Sequence, residues 1–202
     1  MKTSLPVILL AASIGLLPHA TYAEGRVVAP PVPEAIRVPA GHAPFLAGHA
    51  VGAQGYVCVV SGAAYQWSAF GPQATLFNAE GQQILTHFLS ATPYSLQPAA
   101  AWQHSRDSSG VWGQMLASAT DPVFVTAGAI PWLLLEAAVV ADGPTGGDKL
   151  LATRFIQRVN TVGGKAPTTG CASTQDVAKR ALVPYEADYF FFREVSTNDL
   201  HD

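Results

Sequence analysis

Charged side chains are scarce in this sequence. Of its 202 residues only 12% are Asp, Glu, Lys or Arg, and the formal net charge is −3. A chain without an excess of Lys and Arg lacks the electrostatic footprint of a protein that binds nucleic acid or an anionic membrane surface. The composition therefore predicts no nucleic-acid partner.

Long apolar runs are also few. The first, residues 5–17, follows Lys2 and precedes the small residues that end at Ala23. This is the order of a secretory signal peptide, and the run is too short to span a bilayer. We expect residues 1–23 to be removed, leaving a secreted or periplasmic chain that begins at Glu24. The alternative is a buried N-terminal helix.

The longest later apolar run covers residues 131–140 and contains Glu136. It is shorter than a transmembrane helix, so no membrane insertion is predicted once the signal is removed. Its length and the turn residues around it favour a central strand that is covered on both faces, although a buried helix gives the same pattern.

Cysteine is nearly absent, because Cys58 and Cys171 are the only two in the chain. In an exported protein two cysteines are most simply one disulfide. The loop that this bond closes holds about a hundred residues, which is worth roughly 4 kcal/mol or more in the chain-entropy model. The alternative is two free thiols, since a buried cysteine is ordinary in an apolar segment.

Turn-forming residues are abundant, with 18 Gly and 15 Pro, and they divide the chain into short β-type runs. The predicted strands are residues 54–61, 65–70, 74–78, 83–90, 102–105, 111–117, 123–127, 131–140, 150–161 and 187–193. About nine or ten such strands predict an all-β, single-domain antiparallel sandwich or barrel. Residues 24–44 are a proline-rich lead-in, 45–193 the β domain and 194–202 a polar tail. Residues 91–100 are a predicted loop, and 176–182 a predicted helical turn.

Several short segments occur in an order that resembles a known family. They are Gly-Tyr-Val-Cys at 55–58, Trp67, Pro-Gln-Ala-Thr-Leu at 72–76, Thr-His-Phe at 86–88, Asp-Ser-Ser at 107–109, Ile-Pro-Trp-Leu-Leu-Leu at 130–135, Arg-Val-Asn-Thr at 158–161, Gly-Gly at 163–164, Ala-Pro at 166–167, Cys171, Val-Pro-Tyr at 183–185 and Ala-Asp-Tyr at 187–189. With them the chain resembles the secreted bacterial and fungal family known as domain of unknown function 3455. The resemblance implies export and a compact β-rich domain, and no established activity.

Some fungal members of that family carry a malate dehydrogenase label. The label does not fit this chain, because no Gly-x-Gly-x-x-Gly follows a strand and no βαβ pattern is present. No cofactor is predicted. Between His87 and Trp102 the chain is longer than the family pattern.

The densest group of chemically active side chains lies in the middle of the chain. In strand alternation His87 shares a face with Leu85 and Leu89, and an imidazole on an apolar face needs a hydrogen-bonding partner. Asp107, on a later turn, is the candidate partner. The pair is either an acid–base or ligand-binding pair at a pocket mouth, or a buried histidine beside a structural Asp–Ser turn.

Further side chains would complete such a pocket. Trp102 and Trp112 are its predicted walls, and His104 and Ser108 its predicted polar lining. If two or three tryptophans line up on an exposed face, they form a platform on which a sugar ring stacks.

No metal site is predicted. His87, His104 and Asp107 offer three ligands, but positions 104 and 107 point to opposite faces of a strand and the spacing matches no signature. A serine hydrolase would lack its Gly-x-Ser-x-Gly motif. His42 and His49 have no ligand spacing and are interpreted as solvated loop histidines.

Glu136 is the one carboxylate inside the apolar run. A carboxylate buried on both sides is costly unless it is paired, and Arg154 or Arg158 is the predicted partner in a structural ion pair. The alternatives are that Glu136 lies at the strand edge in solvent, or that it lines a pocket.

The sequence favours a non-catalytic binding or surface protein for a carbohydrate or small molecule. The alternative is an extracellular hydrolase or lyase that uses His87 and Asp107. The short segments above suit turns and apolar strands better than any recognised catalytic template, which favours the first interpretation.

Overall fold

Eight antiparallel strands close on themselves in a barrel. In a computed structural model, which describes residues 27–195, each strand pairs with the next along the chain and the last pairs with the first. The strands are β1 (His42–Ser61), β2 (Ala64–Phe77), β3 (Gln83–Thr92), β4 (Ser95–His104), β5 (Gly110–Ala119), β6 (Trp132–Ala141), β7 (Thr153–Gly163) and β8 (Arg180–Glu194). Single turns of 3-10 helix cover Glu34–Ile36 and Thr174–Asp176. The predicted all-β antiparallel fold is confirmed, in its barrel form.

The strands are fewer and longer than the sequence pattern predicts. The predicted runs 65–70 and 74–78 belong to one strand, β2, because a β-bulge where Gly55 pairs with Gly71 keeps the chain in the sheet. Gly71 has a φ of 128°, a conformation that side chains rarely allow and glycine adopts readily.

Three predicted segments have other conformations. Residues 91–100, predicted as a loop, complete the hairpin of β3 and β4, and Pro98 is tolerated there because β5 does not reach it. Residues 123–127, predicted as a strand, form a turn closed by backbone hydrogen bonds to the carbonyl of Asp121. Residues 176–182 comprise the last residue of the second 3-10 turn, three linking residues and the first three residues of β8.

Side chains fill the interior of the barrel. Alternation along β1 and β8 turns Leu46 and Ala50 inward, beside Phe191 and Ala187. Eight strands leave an interior about wide enough for side chains. The largest fully buried side chains of this interior are Trp102, Tyr189, Phe191, Leu76, Leu85, Leu150 and Ile156. A ligand site is therefore expected on the outer wall or at a rim.

The proline-rich lead-in packs against the outside of the barrel. Its 3-10 turn buries Ile36 completely, in a cluster with Trp132 and Val159. Gln157 fixes this turn by donating from Nε2 to the carbonyl oxygen of Ile36 at 2.7 Å. Because Leu135 packs inside the barrel, the first half of β6 is covered on both faces, as its apolar run predicts.

Cys58 and Cys171 form the predicted disulfide, with their Cα atoms 5.5 Å apart. The bond ties the segment between β7 and β8 to β1. Trp67 adds to this attachment by donating from Nε1 to the carbonyl oxygen of Thr169 at 2.9 Å.

The predicted signal peptide, residues 1–23, and residues 196–202 of the polar tail lie outside the described residues. Within residues 27–195 no helix is long and apolar enough to cross a membrane.

Candidate functional site

His87 lies inside the barrel and is sealed from solvent. Its side chain stacks on Trp102, with ring centroids 4.1 Å apart and planes 5° from parallel, and the residue is 3% exposed. Nδ1 donates to the carbonyl oxygen of Ala101 at 2.8 Å. Tyr189 meets the imidazole edge to face, at 5.1 Å between centroids. This geometry is that of the structural alternative, a buried histidine whose ring nitrogen is hydrogen-bonded.

Burial lowers the pKa of His87 from 6.5 to about 3, against the opposing effect of the hydrogen bond to Ala101. The charge of Arg158 lowers this pKa further. The imidazole is therefore neutral over the physiological range, and it neither meets water nor exchanges protons at a surface.

Asp107 organises a turn at the rim of the barrel. Its Oδ1 accepts from the Ser109 hydroxyl at 2.7 Å, its Oδ2 accepts from the Lys149 backbone N–H at 2.8 Å, and His104 Nδ1 lies 3.1 Å from Oδ1. Burial alone would raise the pKa of Asp107, but the hydrogen bonds from Lys149 and Ser109 outweigh it and lower the pKa to about 2. Asp107 and His87 do not pair, because His87 faces the interior from the middle of β3.

The backbone of Asp107 is equally confined. A Cβ atom on Gly143 or on Gly147 would overlap its carbonyl oxygen. Ser108 is exposed beside it with a φ of 60°. The turn between β4 and β5 and the loop after β6 are therefore fitted together, and His104 and Ser108 belong to this structural turn rather than to a pocket around His87.

The four tryptophans do not form a platform on one exposed face. Trp102 is 1% exposed inside the barrel, and Trp132 is 4% exposed beneath the lead-in. Trp112 is half-buried and donates from Nε1 to the hydroxyl of Ser90 at 2.9 Å. Trp67 is half-buried at the disulfide end.

Glu136 does not form the predicted ion pair. It lies exposed on β6, beyond the cover that the lead-in provides, so its carboxylate is solvated and needs no partner. Arg158 instead donates from Nε and Nη2 to the carbonyl oxygen of Pro131 at 3.2 and 2.8 Å. Arg154 donates to the carbonyl oxygen of Thr153 at 3.3 Å. Glu136 is therefore a solvent-exposed carboxylate on a strand, which is one of the alternatives that the sequence leaves open.

A polar group that the sequence did not reveal lies on the outer wall, where β1, β7 and β8 adjoin. His49 is opposite Asp188 in the β1–β8 register, and its Nδ1 donates to Asp188 Oδ1 at 2.8 Å. The other carboxylate oxygen accepts from Asn160 Nδ2 at 2.8 Å. Glu186 lies on the far side of the imidazole, 3.6 Å from Nε2 through its Oε2. We call these four residues the outer-wall cluster.

Asn160 reaches the cluster because β7 bulges there. The register of β7 with β8 shifts between Val159 and Val162, and Asn160 adopts a φ of 51°. Asparagine is among the few non-glycine residues that tolerate this left-handed conformation. A β-bulge re-aims side chains, and here the bulge directs the amide of Asn160 at Asp188.

Two shallow depressions adjoin the cluster on the same face. The first depression, about 250 Å³, is lined by Ala47, Gly48, His49, Phe77, Asn78, Ala79, Asp188 and Phe190. The second depression, about 360 Å³, is lined by Val51, Gln73, Ala74, Thr75, Thr86, His87 and Phe88. Ala74 and His87 are buried beneath its floor, so their side chains are not offered to a ligand.

The first depression combines two aromatic rings with oriented hydrogen-bonding groups. The side chain of His49 is 49% exposed and that of Asp188 28% exposed, so both are reachable from solvent. Asp188 fixes the imidazole through Nδ1, and Nε2 faces the carboxylate of Glu186 at 3.6 Å, so a polar ligand group would meet both side chains there. Within residues 27–195 no three His, Cys, Asp or Glu side chains are grouped to hold a metal ion.

Sequence reasoning missed the cluster because its members are far apart along the chain. His49 and Asp188 are separated by 139 positions. The sequence pattern predicts a loop at His49, because Gly48, Gly52 and their alanine neighbours hide the start of β1. The available signal was that Asn160 and Asp188 both fall in segments that carry the family resemblance.

Comparison with known proteins gives one match. The model of the family described as "Protein of unknown function (DUF3455)" matches residues 39–193, more than half of the chain. No curated protein and no solved structure matches the chain.

Proposed function

The chain belongs to the DUF3455 family, whose function is unknown, and from that premise we propose that it is an exported, non-catalytic binding protein for a carbohydrate. The observation that carries the proposal is the outer-wall cluster beside the first depression. Its His49–Asp188–Asn160 hydrogen bonds present fixed polar groups next to the rings of Phe77 and Phe190.

This combination suits a sugar. Aromatic rings offer apolar faces to the C–H groups of a pyranose, and oriented carboxylate, amide and imidazole groups bond its hydroxyls. The cluster is pre-organised, since Asp188 is already held from both sides by His49 and Asn160. Binding therefore orders few side chains, which saves conformational entropy.

Export is the second part of the proposal. The signal-like N-terminus and the disulfide between Cys58 and Cys171 both suit a chain that matures outside the cytoplasm. We expect N-terminal sequencing of the exported protein to begin at Glu24. A mature chain that still begins at Met1 would contradict this part of the proposal.

A glycan array is the test of binding. We expect the purified mature protein to bind neutral glycans and Asp188→Asn to weaken that binding at least about tenfold, because a lost hydrogen bond to a charged group costs about 1.5–3 kcal/mol. Glu136→Gln is the matched control. It makes the same carboxylate-to-amide change on an exposed strand position away from the cluster, and it is expected to bind like the wild type.

Two results of this test are decisive against the proposal. The first is the absence of signal for every glycan with correctly folded protein. The second is equal loss of binding in Asp188→Asn and Glu136→Gln. Matching melting temperatures of the three proteins would establish that a loss of binding is not a loss of folding.

A second candidate function uses the same dyad. The orientation of His49 by Asp188 also suits an acid–base group of a hydrolase. The predicted catalytic pair of His87 and Asp107 has no such geometry, since His87 is buried. Release of reducing sugar from a bound glycan, abolished in His49→Gln, would favour this candidate over simple binding.

A further inference from the structure

The two depressions are neighbouring parts of one surface. Along β1, His49 of the first and Val51 of the second are successive outward positions, and along β2 the same relation joins Phe77 to Thr75. The residue between them on β1, Ala50, is fully buried in the barrel. Because strand side chains alternate, no outward side chain of these strands separates the two depressions.

The combined surface is longer than one sugar ring. It begins at Asp188 on β8, crosses β1 and β2, and ends at Phe88 on β3. Three inter-strand steps of about 4.8 Å make roughly 14 Å across the sheet. The offset along the strands from His49 to Val51 adds to this length.

The two ends of the surface differ in chemistry. The first depression offers the charged Asp188 and the imidazole of His49. The second offers the hydroxyls of Thr75 and Thr86 and the ring of Phe88, and no charged side chain lines it. A ligand that fills both is therefore polar and uncharged along most of its length.

We infer that the ligand is an extended neutral oligosaccharide or polysaccharide that lies across β8, β1, β2 and β3. One end of the bound segment is held by the outer-wall cluster, and its continuation rests on Thr86 and Phe88. This inference rests on the proposed carbohydrate binding, and it adds a second subsite and a minimum length to it.

Chain-length dependence is the test. The probes are homo-oligomers of glucose, mannose, xylose and N-acetylglucosamine, from monosaccharide to hexasaccharide, measured by calorimetry against the mature protein. For the sugar that binds, we expect affinity to rise at least about tenfold with length and then to level off once both depressions are filled.

Two variants test whether the second depression supplies the rise in affinity with oligosaccharide length. Phe88→Ala and Thr86→Val are each expected to remove the gain for long oligomers and to leave the affinity for the shortest bound oligomer unchanged. Asp188→Asn is expected to weaken every length. Thr86→Val nearly preserves side-chain volume at a half-buried outward position, so it keeps the test valid if Phe88→Ala fails to fold.

The outcomes separate the two proposals. Binding that does not change with length, or a gain that survives in both variants, overturns the extended ligand and leaves carbohydrate binding intact. No binding by any oligomer overturns both.

Discussion

The imidazole of His87 lies in an environment that cannot hold its charge. It stacks on Trp102 and is 3% exposed, and burial lowers its pKa to about 3. Below pH 6.5 the unfolded chain binds a proton at this position that the folded chain does not bind. The stability that His87 contributes is therefore complete above pH 6.5 and is lost progressively as pH falls towards 3.

This gives a prediction about acid sensitivity. Between pH 6 and pH 4 the free energy of unfolding of the wild type should fall by about 2.5 kcal/mol more than that of His87→Phe, which keeps an aromatic ring and loses the titration. Urea denaturation at each pH measures this difference. If the free energy of unfolding had the same pH dependence in the wild type and in His87→Phe, His87 would be protonated in the folded state as it is in the unfolded state.

Asp107 is a second residue whose role follows from its contacts. Its carboxylate accepts hydrogen bonds from Ser109 and from the backbone of Lys149. Asp107→Asn replaces one acceptor by a donor and should lower the free energy of unfolding by about 1–3 kcal/mol. Glycan affinity should not change, because the outer-wall cluster is elsewhere. If Asp107→Asn kept the wild-type stability but lost glycan binding, Asp107 would belong to the ligand-binding site.

At the scale of elements, the segment between β7 and β8 depends on covalent attachment. It has little regular structure beyond one 3-10 turn, Thr174–Asp176, and Cys171 within it bonds to Cys58 of β1. Asp176 supports the turn by accepting hydrogen bonds from Ser173 and from the backbone of Ala172.

Removing the disulfide should therefore be costly. The bond closes a loop across a separation of 113 residues. In the chain-entropy model Cys58→Ser with Cys171→Ser should lower the free energy of unfolding by about 4–5 kcal/mol. Urea denaturation of the double variant measures this change. An unaltered midpoint, or two alkylatable thiols in the purified protein, would contradict it.

The lead-in is the second element whose role is set by packing. It packs in a cluster with side chains of β5, β6 and β7, where Ile36 and Trp132 are buried together, and this cluster extends to Phe190 of β8. The outer face around His49 on β1 is left open. The same barrel therefore has one wall that acts as a second core and another that is available to a ligand.

For the whole molecule, the β class, the antiparallel pairing and the disulfide could be predicted from the sequence. Turn residues and short apolar runs are local signals, and two cysteines allow one pairing. Strand number could not be predicted, since the bulge at Gly71 joins runs that look separate. Closure of the barrel also depends on pairing between β1 and β8, which are distant in the chain.

The site was the harder part to predict. His87 and Asp107 attract attention in the sequence because they carry reactive groups, yet each is satisfied by structural partners, Ala101 for one and Ser109 for the other. The outer-wall cluster arises from three strands, and its geometry depends on the bulge that turns Asn160 towards Asp188. No local pattern encodes that juxtaposition.

In the proposed function the ligand binds the outer wall and not the interior of the barrel. Amide chemical shifts of the labelled protein, recorded during titration with the tightest-binding oligosaccharide, would locate the binding site. We expect shifts clustered on β1, β2, β3 and β8 around His49, Thr86 and Asp188. Shifts confined to the turn around Asp107, or no saturable shift at any glycan concentration, would contradict this proposal.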